Sequence, residues 1–307
     1  MNERALLDAI IANPDDDDVR LVYADVLESL GNPLGEFIQL QCRLARGFDL
    51  ALSQRASELA KEHGRAWLAD LLALKLGAQF SYDRGFVHSM TAPFPSATTR
   101  TTELLARAPL LAKLELTVHG QADRVQLARP NSDAVLARAE SLFIRGRHRG
   151  NTRAMRGPIA DLSGLAVCPF TRLRALRLEA LRAKPNNLYE FLQSPNLTTL
   201  ESLIMRLRMP VAETPRVLAG IGPSVRHLDL AGNTLDAAGI TALLATNRDR
   251  LETLVIDQTN LPAAAVEQLQ QAKLPALRTI SLRYLQLRER VQEPATWNAP
   301  QLERIVV

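Results

Sequence analysis

The sequence has few of the residues that carry covalent or metal chemistry. Only two cysteines, Cys42 and Cys168, occur in 307 residues. Two are too few for a disulfide scaffold or a thiolate metal site, and they fit a reducing compartment. The five histidines are scattered without an H-E-x-x-H pair, and neither a Walker loop nor a G-x-G-x-x-G motif is present. We therefore expect no metal, no cofactor and no enzymatic activity.

Long apolar runs are also lacking. No stretch of about 18 uncharged apolar residues occurs, and the opening MNERALLDAI lacks the basic and apolar regions of a signal peptide. The composition is that of a folded globular chain, with 47% apolar and 23% charged residues. The sequence thus predicts a cytoplasmic protein without membrane insertion.

Positive charge is scarce at the start of the chain and abundant later. Residues 1–78 carry 13 acidic and 8 basic side chains, whereas residues 79–307 carry 20 acidic and 29 basic ones. Ten basic and two acidic residues lie between positions 145 and 184. This distribution predicts one domain at 1–78 and a second at 79–307, with a basic insertion at 145–170.

A short apolar motif, L-x-x-L-x-L or a close variant, recurs through the second region. Its middle residues are Leu114, Leu142, Leu176, Leu203, Leu228, Leu254, Ile280 and Ile305, at intervals of 28, 34, 27, 25, 26, 26 and 25 residues. The spacing predicts a strand with inward apolar residues, then a turn and a helical return. Asn233 is expected to hydrogen-bond the turning backbone. Such units cannot bury their own core alone, so they must stack with their strands in one parallel sheet.

These units resemble leucine-rich repeats, and their lengths and helical returns are similar to the ribonuclease-inhibitor type. The resemblance covers roughly residues 85–307, with a degenerate first unit near Val87. It implies an α/β solenoid of about eight to nine repeats, in which a parallel sheet forms the inside of a horseshoe and helices form the outside.

The first region is predicted to be all α-helical. Its clearest helix has an apolar stripe formed by Val19, Val22, Tyr23, Val26, Leu27 and Leu30. The run Asp15 to Asp18 precedes it and is interpreted as a helix cap with carboxylates in the first turn, rather than as a divalent-cation site, and Gly31 ends the helix. Further helices are expected from Gly35 to Arg46 and from Leu50 to Leu76, the latter broken at Gly64.

The stretch ALLDAIIANPDDDDVRLVYADVLESLGNPLGEFIQLQ resembles the bacterial repeat-companion domain, which is commonly found N-terminal to leucine-rich repeats. Matching positions are Leu6, Pro14, Asp15, Asp16, Arg20, Leu21, Tyr23, Ala24, Asp25, Leu27, Gly31, Gly35, Glu36, Phe37 and Ile38. Val26 stands where the family usually has Trp. The resemblance implies a domain arrangement and no enzymatic activity.

The outward strand face is the candidate binding surface, because stacked repeats present one row of side chains on a concave side. Apolar residues among Arg and Asp are typical of a protein-binding patch. The predicted partner-binding residues are Phe143, Arg145, Arg177, Ile204, Arg206, Asp229, Val255, Asp257 and Arg283. We therefore predict non-enzymatic recognition of another protein. Incidental filling of the strand face is the alternative interpretation.

The basic insertion gives a second hypothesis. Its arginines, Arg145, Arg147, Arg149, Arg153 and Arg156, could bind nucleic acid or another anionic ligand. No aromatic residue for base stacking lies between Phe143 and Phe170, which makes nucleic acid the less favoured partner. A solvated loop, or docking onto the acidic first domain, would also explain the cluster. The apolar last strand, Leu302 to Val307, could form a homodimer through its edge.

Overall fold

The structure is a computed structural model that describes residues 2–97, 99–119, 125–126, 133–147, 159–207, 209–246, 248–259, 261–283 and 297–306. The chain divides into two compact units, Met1–Leu114 and Glu115–Val307. The predicted boundary near residue 78 stays a prediction. Among the described residues, no helix combines the length and the apolar character needed to cross a bilayer.

The first unit is mainly helical, as predicted. Its helices are α1 Glu3–Ala12, α2 Asp17–Ser29, α3 Leu34–Arg46, α4 Leu50–Trp67, α5 Ala69–Leu72, α6 Phe94–Ala97 and α7 Thr101–Arg107. Two antiparallel strands, β1 Gln79–Asp83 and β2 Phe86–Pro93, lie between α5 and α6. The predicted break at Gly64 is wrong, since α4 runs through it to Trp67. Gly64 is buried, and one glycine costs a helix only about 1 kcal/mol, which tertiary packing readily outweighs.

Helix α2 is capped at both ends as the sequence predicts. The side chain of Asp16 accepts a hydrogen bond from the backbone N–H of Asp18, while Asp17 and Asp18 lie in the first turn. Beyond the helix, Gly31 adopts a left-handed φ of +70°, and its N–H donates to the carbonyl of Glu28. The aspartate run therefore serves as a helix start.

The hairpin β1–β2 packs into the same core as the helices. Phe86 packs against the cluster that contains Tyr23 and Ile38, and Tyr82 packs against the cluster around Phe37. The turn requires Gly85, because a Cβ there would come within 2.2 Å of the Ile38 side chain and φ is +85°. The first unit is thus a helical layer with an attached hairpin.

Arg20, one of the positions of the repeat-companion resemblance, ties the α1–α2 turn to this hairpin. It is buried, donates to the carbonyl of Pro14 at 2.6 Å, and lies over the Phe86 ring at 5.0 Å from its centroid. Burial lowers the pKa of the Arg20 guanidinium from its usual value. On the surface beside it, Arg84 pairs with Asp15 at 3.4 Å and with Asp17 at 3.2 Å. Those two carboxylates are therefore neutralised by an arginine of the hairpin.

The second unit alternates strands with short helices. Strand β3 Lys113–His119 spans the division between the units. The main-sheet strands that lie wholly in the second unit are β5 Ser141–Arg147, β7 Ala175–Glu179, β9 Ser202–Arg206, β10 His227–Asp229, β11 Thr253–Val255, β12 Thr279–Ser281 and β13 Arg304–Val306. The helices are α8 Asp133–Arg138, α9 Ser163–Ala166, α10 Pro185–Leu192, α11 Thr214–Ala219, α12 Ala237–Leu244 and α13 Ala263–Gln271, with 3-10 turns at Pro195–Leu197 and Val211–Glu213. Three further short strands, β4 Val125–Gln126, β6 Ile159–Asp161 and β8 Arg182–Ala183, pair in parallel as a second sheet.

The strands of the main sheet stack in the register that the repeat spacing predicts. From β5 to β13 all neighbours pair in parallel, in the order β5-β7-β9-β10-β11-β12-β13. The middle residues of the motif are paired with one another, from Leu142 with Leu176 to Ile280 with Ile305. The leucine-rich-repeat fold is therefore confirmed, with the middle residue of each main-sheet strand from β5 to β12 buried.

Two buried polar side chains fix the turns between repeats. The amide of Asn233 donates to the carbonyls of Met205 and Leu230, and its oxygen accepts from the N–H groups of Leu207 and Met209. Arg248 donates to three carbonyls, those of Leu243, Gly222 and Ile221, while burial lowers its pKa to about 10. Both side chains supply partners that the helix and turn backbone would otherwise lack. The role predicted for Asn233 is confirmed.

Candidate functional site

The register places the predicted partner-binding residues in two adjacent rows on the outward strand face. Backbone pairing aligns Phe143 with Arg177 and then with Ile204, and the row continues through Asp229 and Val255. The second row aligns Arg145, Glu179 and Arg206. These side chains alternate with fully buried Leu, Ile and Met side chains along each strand, so they point away from the core.

Phe143 lies between two arginines. The guanidinium carbon of Arg145 is 4.6 Å from the centre of the ring, and that of Arg177 is 4.5 Å from it. Each contact is within the range of a cation–π interaction, which contributes roughly 0.5–1 kcal/mol at an exposed site. The ring therefore holds both guanidinium groups in defined positions on the strand face.

Glu179 connects the arginines of the three neighbouring strands β5, β7 and β9. Its carboxylate lies 2.6 Å from Arg177 Nη2, 3.9 Å from Arg145 and 3.8 Å from Arg206. Sequence reasoning did not select Glu179 as a site residue. The available signal was its position in the second row, two residues after Arg177 on the same face.

The network ends in one acidic residue on each side. Arg145 lies 3.7 Å from Glu115 of β3, and Arg206 donates through Nη2 to Asp229 of β10. This hydrogen bond is the main reason that the pKa of Arg206 lies above its usual value. We call the six residues Glu115, Arg145, Arg177, Glu179, Arg206 and Asp229, together with Phe143, the strand-face cluster.

The strand-face cluster has a layered distribution of charge. The side chains of Arg145, Arg177 and Arg206 are 38%, 40% and 46% exposed, whereas those of Glu179 and Asp229 are only 15% and 14% exposed. The cations thus lie outside two of their three carboxylate partners. A molecule that approaches this face meets guanidinium groups first.

The remaining predicted residues, Val255, Asp257 and Arg283, lie further along the sheet and make different contacts. Asp257 accepts hydrogen bonds from Ser281 Oγ at 2.6 Å and from the backbone N–H of Arg283 at 2.8 Å. The Arg283 side chain is exposed, and Val255 is half-buried in the first row. Asp257 is therefore hydrogen-bonded to the neighbouring strand. Among the described residues, the cluster of paired charges on this face lies on β3 through β10.

The arginine-rich insertion is only partly described. Arg145 and the exposed Arg147 lie at the end of β5. Arg149, Arg153 and Arg156 lie outside the described residues. Within 145–170 the chain also forms β6 and α9, so the described part of the predicted insertion contains secondary structure.

A second series of charges runs along the edge of the sheet where each strand begins. The residue that immediately precedes each main-sheet strand from β5 to β13 is charged, and the sign alternates: Glu140, Arg174, Glu201, Arg226, Glu252, Arg278 and Glu303. The backbone N–H of each of the last six donates to the carbonyl of the one before it, at 2.8 to 2.9 Å. Side-chain pairs include Arg226 with Glu252 at 3.0 Å and Arg174 with Glu201 at 3.7 Å. We call this series the edge ladder.

The described residues show no candidate metal site, and one of their cavities lacks acid–base groups. They contain no group of three or more His, Cys, Asp or Glu residues that could hold a metal ion. A cavity of about 470 Å³ lies between the loops 192–200 and 220–225, and its described lining has Ser194 and Arg250 but no carboxylate, imidazole or thiol. Both cysteines are buried, and burial raises the pKa of the Cys42 thiol to about 11, which disfavours the nucleophilic thiolate.

Comparison with known proteins gives similarity in solved structures alone. A chain in the crystal structure of the Rad7 and Elc1 complex in yeast is similar at 19% identity and a TM-score of 0.42, over 80% of this chain and 67% of that chain. A chain in the crystal structure of the TLR13-ssRNA13 complex is similar at 13% identity and a TM-score of 0.39, over 71% of this chain and 32% of that chain. No family model and no curated protein matches the sequence. At these levels of similarity, neither structure indicates what this protein binds.

Proposed function

We propose that this protein recognises another protein through the outward strand face of its repeats, without enzymatic activity of its own. The observation that carries the proposal is the arrangement of Phe143 between Arg145 and Arg177, with Glu179 fixing the arginines from below. Aromatic and arginine side chains are the residues most often found at the energetic centre of protein interfaces.

The cluster is held in place before any partner arrives. Arginine side chains normally lose up to about 2 kcal/mol of rotamer entropy when they are immobilised. Here the Phe143 ring and the Glu179 carboxylate already restrict Arg177, which donates to Glu179 through Nε at 2.8 Å and Nη2 at 2.6 Å. Binding therefore costs less ordering than it would on a flexible surface.

Half-buried apolar residues continue the same row. Ile204 lies beside Arg177, and Val255 follows Asp229. A row in which apolar residues alternate with charged ones suits a protein surface that itself combines apolar and polar side chains.

The alternative is an anionic ligand or nucleic acid bound by the arginine-rich insertion. The observation in its favour is that Arg147 is exposed and follows Arg145 along β5. Binding through phosphates weakens steeply as salt increases, whereas an interface with an apolar centre weakens little.

The wider setting of this function follows from the sequence resemblances. We propose that the repeats are of the ribonuclease-inhibitor type, that residues 1–78 act as a bacterial repeat-companion domain, and that the protein is a cytoplasmic scaffold.

We also propose that two copies pair through the β13 edge. Light scattering would test this pairing by measuring the oligomeric state.

The proposed function is tested by affinity capture from lysate of the source cells at 0.15 M and 1 M NaCl. The variants are Phe143→Ala/Arg177→Glu on the strand face and, as a matched control, Arg226→Gln/Arg278→Gln on the edge ladder. We expect a protein partner that is retained in part at 1 M NaCl, because Ile204 and Val255 supply apolar contacts, and that is lost only with the strand-face variant. Recovery of nucleic acid that 1 M NaCl removes would instead support the alternative.

A further inference from the structure

We propose that the partner segment seated on the strand-face cluster is acidic, and that its Asp or Glu side chains bind Arg145, Arg177 and Arg206. This inference rests on the proposed function and specifies its chemistry. The three arginines are 38–46% exposed. They lie over Glu179 and Asp229, whose side chains are only 15% and 14% exposed.

The arginines retain capacity for a further acceptor. Arg145 lies 3.7 Å from Glu115 and 3.9 Å from Glu179, distances longer than a hydrogen bond. Arg177 makes its hydrogen bonds to Glu179 through Nε and Nη2, and each guanidinium carries five N–H donors. A carboxylate from a partner can therefore accept charge-assisted hydrogen bonds without displacing the existing pairs.

The cluster as a whole is electrically balanced, since three arginines face three carboxylates. A balanced cluster produces no extended positive field of the kind that concentrates polyphosphates. Glu115, whose side chain is 32% exposed, would also repel a phosphate that approached Arg145. A partner carboxylate meets the same repulsion, so the preference for an acidic protein segment over nucleic acid depends on the lack of an extended positive field and on the covered Phe143 ring.

The aromatic ring of the cluster is unavailable to a nucleobase. Single-stranded nucleic acids gain much of their affinity from bases that stack on exposed rings. Two guanidinium groups already cover Phe143, at 4.5 and 4.6 Å from the ring centre. The observations therefore favour an acidic protein segment over nucleic acid.

The test measures binding of fluorescently labelled poly-L-glutamate of about 20 residues to the full chain by anisotropy, with unlabelled (dT)20 and inorganic phosphate as competitors. We expect binding to weaken at least tenfold in Arg145→Gln/Arg177→Gln and to remain within twofold of wild type in the edge-ladder control Arg226→Gln/Arg278→Gln. Thermal melting of each variant verifies that it is folded.

Glu179→Gln is expected to change the affinity for poly-L-glutamate in the opposite direction. It removes one negative charge from the three arginines while the Phe143 ring still holds Arg145 and Arg177, so binding of poly-L-glutamate should tighten, by about threefold or more. A variant that merely disturbed the fold would weaken binding instead. Either weakening by a folded Glu179→Gln variant or equal loss in the edge-ladder control overturns the proposal.

The competitors distinguish the remaining outcomes. Displacement of poly-L-glutamate by (dT)20 or phosphate at equal charge concentration would show a general anion site, and would overturn the inference in favour of the alternative function. If the natural protein partner is lost with Phe143→Ala/Arg177→Glu but poly-L-glutamate does not bind, the proposed function stands and the acidic partner is wrong.

Discussion

The strand-face cluster and the edge ladder both combine arginines with carboxylates on the main sheet, but they arrange their charges differently. In the edge ladder, Arg and Glu alternate one per repeat, and both members of a pair are accessible, as in Arg174 at 70% and Glu201 at 41% exposure. In the strand-face cluster, three arginines gather around one mostly covered carboxylate, Glu179.

This difference separates two uses of charge. Alternation gives each charge only neighbours of opposite sign, which favours correct stacking of the repeats and leaves the series nearly balanced, with four glutamates and three arginines. In the strand-face cluster the arginines lie outside Glu179 and Asp229, so their guanidinium groups are available to a partner. We therefore assign stacking to the edge ladder and recognition to the strand-face cluster.

Both regions depend on the turns that stack the repeats, and removal of Asn233 tests that dependence. Asn233→Ala deletes four hydrogen bonds to buried backbone groups. We expect the free energy of unfolding in urea to fall by about 2–4 kcal/mol. The exposed Asn186→Ala in α10 is the control, with an expected change within about 0.5 kcal/mol. Equal changes in the two variants would contradict the structural role of Asn233.

Charge reversal in the edge ladder should affect stability and leave binding intact. Arg226→Glu replaces the pair with Glu252 at 3.0 Å by repulsion from Glu252 and from Glu201. We expect a loss of about 1 kcal/mol in unfolding free energy at 0.05 M NaCl, and a smaller loss at 1 M, where the Debye length is about 3 Å. Loss of partner binding at unchanged stability would assign recognition to the edge ladder instead.

The smallest effect is expected from a highly exposed member of the edge ladder. Arg174→Ala removes a side chain that is 70% exposed and lies 3.7 Å from Glu201. Surface pairs of this kind contribute about 0–1 kcal/mol, so we expect a decrease of at most about 0.5 kcal/mol by urea denaturation. A decrease above about 2 kcal/mol would mean that the ladder is more than a set of solvated pairs.

The fold was predictable because the apolar spacing determines which residues face the core. A period of two places Leu142 and Ile144 inward and Phe143 outward, and the near-constant repeat length then aligns Phe143 with Arg177 on the next strand. Local rules also sufficed at Asp16 and Gly31, where a cap and a left-handed residue bound α2. The continuity of α4 through Gly64 was not predictable, because tertiary packing decides it.

The sequence predicted which residues lie in the site better than it predicted the contacts between them. Sequence spacing gives rows, but the choice of Glu179 as the shared partner of three arginines depends on side-chain rotamers across strands. The edge ladder was missed although its signal is present in the sequence. Glu201, Arg226 and Glu252 each stand immediately before a strand, with alternating sign.

The most direct test of the central claim, that the strand face and not the edge ladder binds a protein, is site-specific photocrosslinking in living cells. A photoreactive phenylalanine derivative would replace Ile204, between Arg177 and Asp229 in the first row, or Arg278 on the edge ladder. We expect a discrete crosslinked protein species from position 204 and none from position 278. A crosslinked species from position 278 alone would contradict the account.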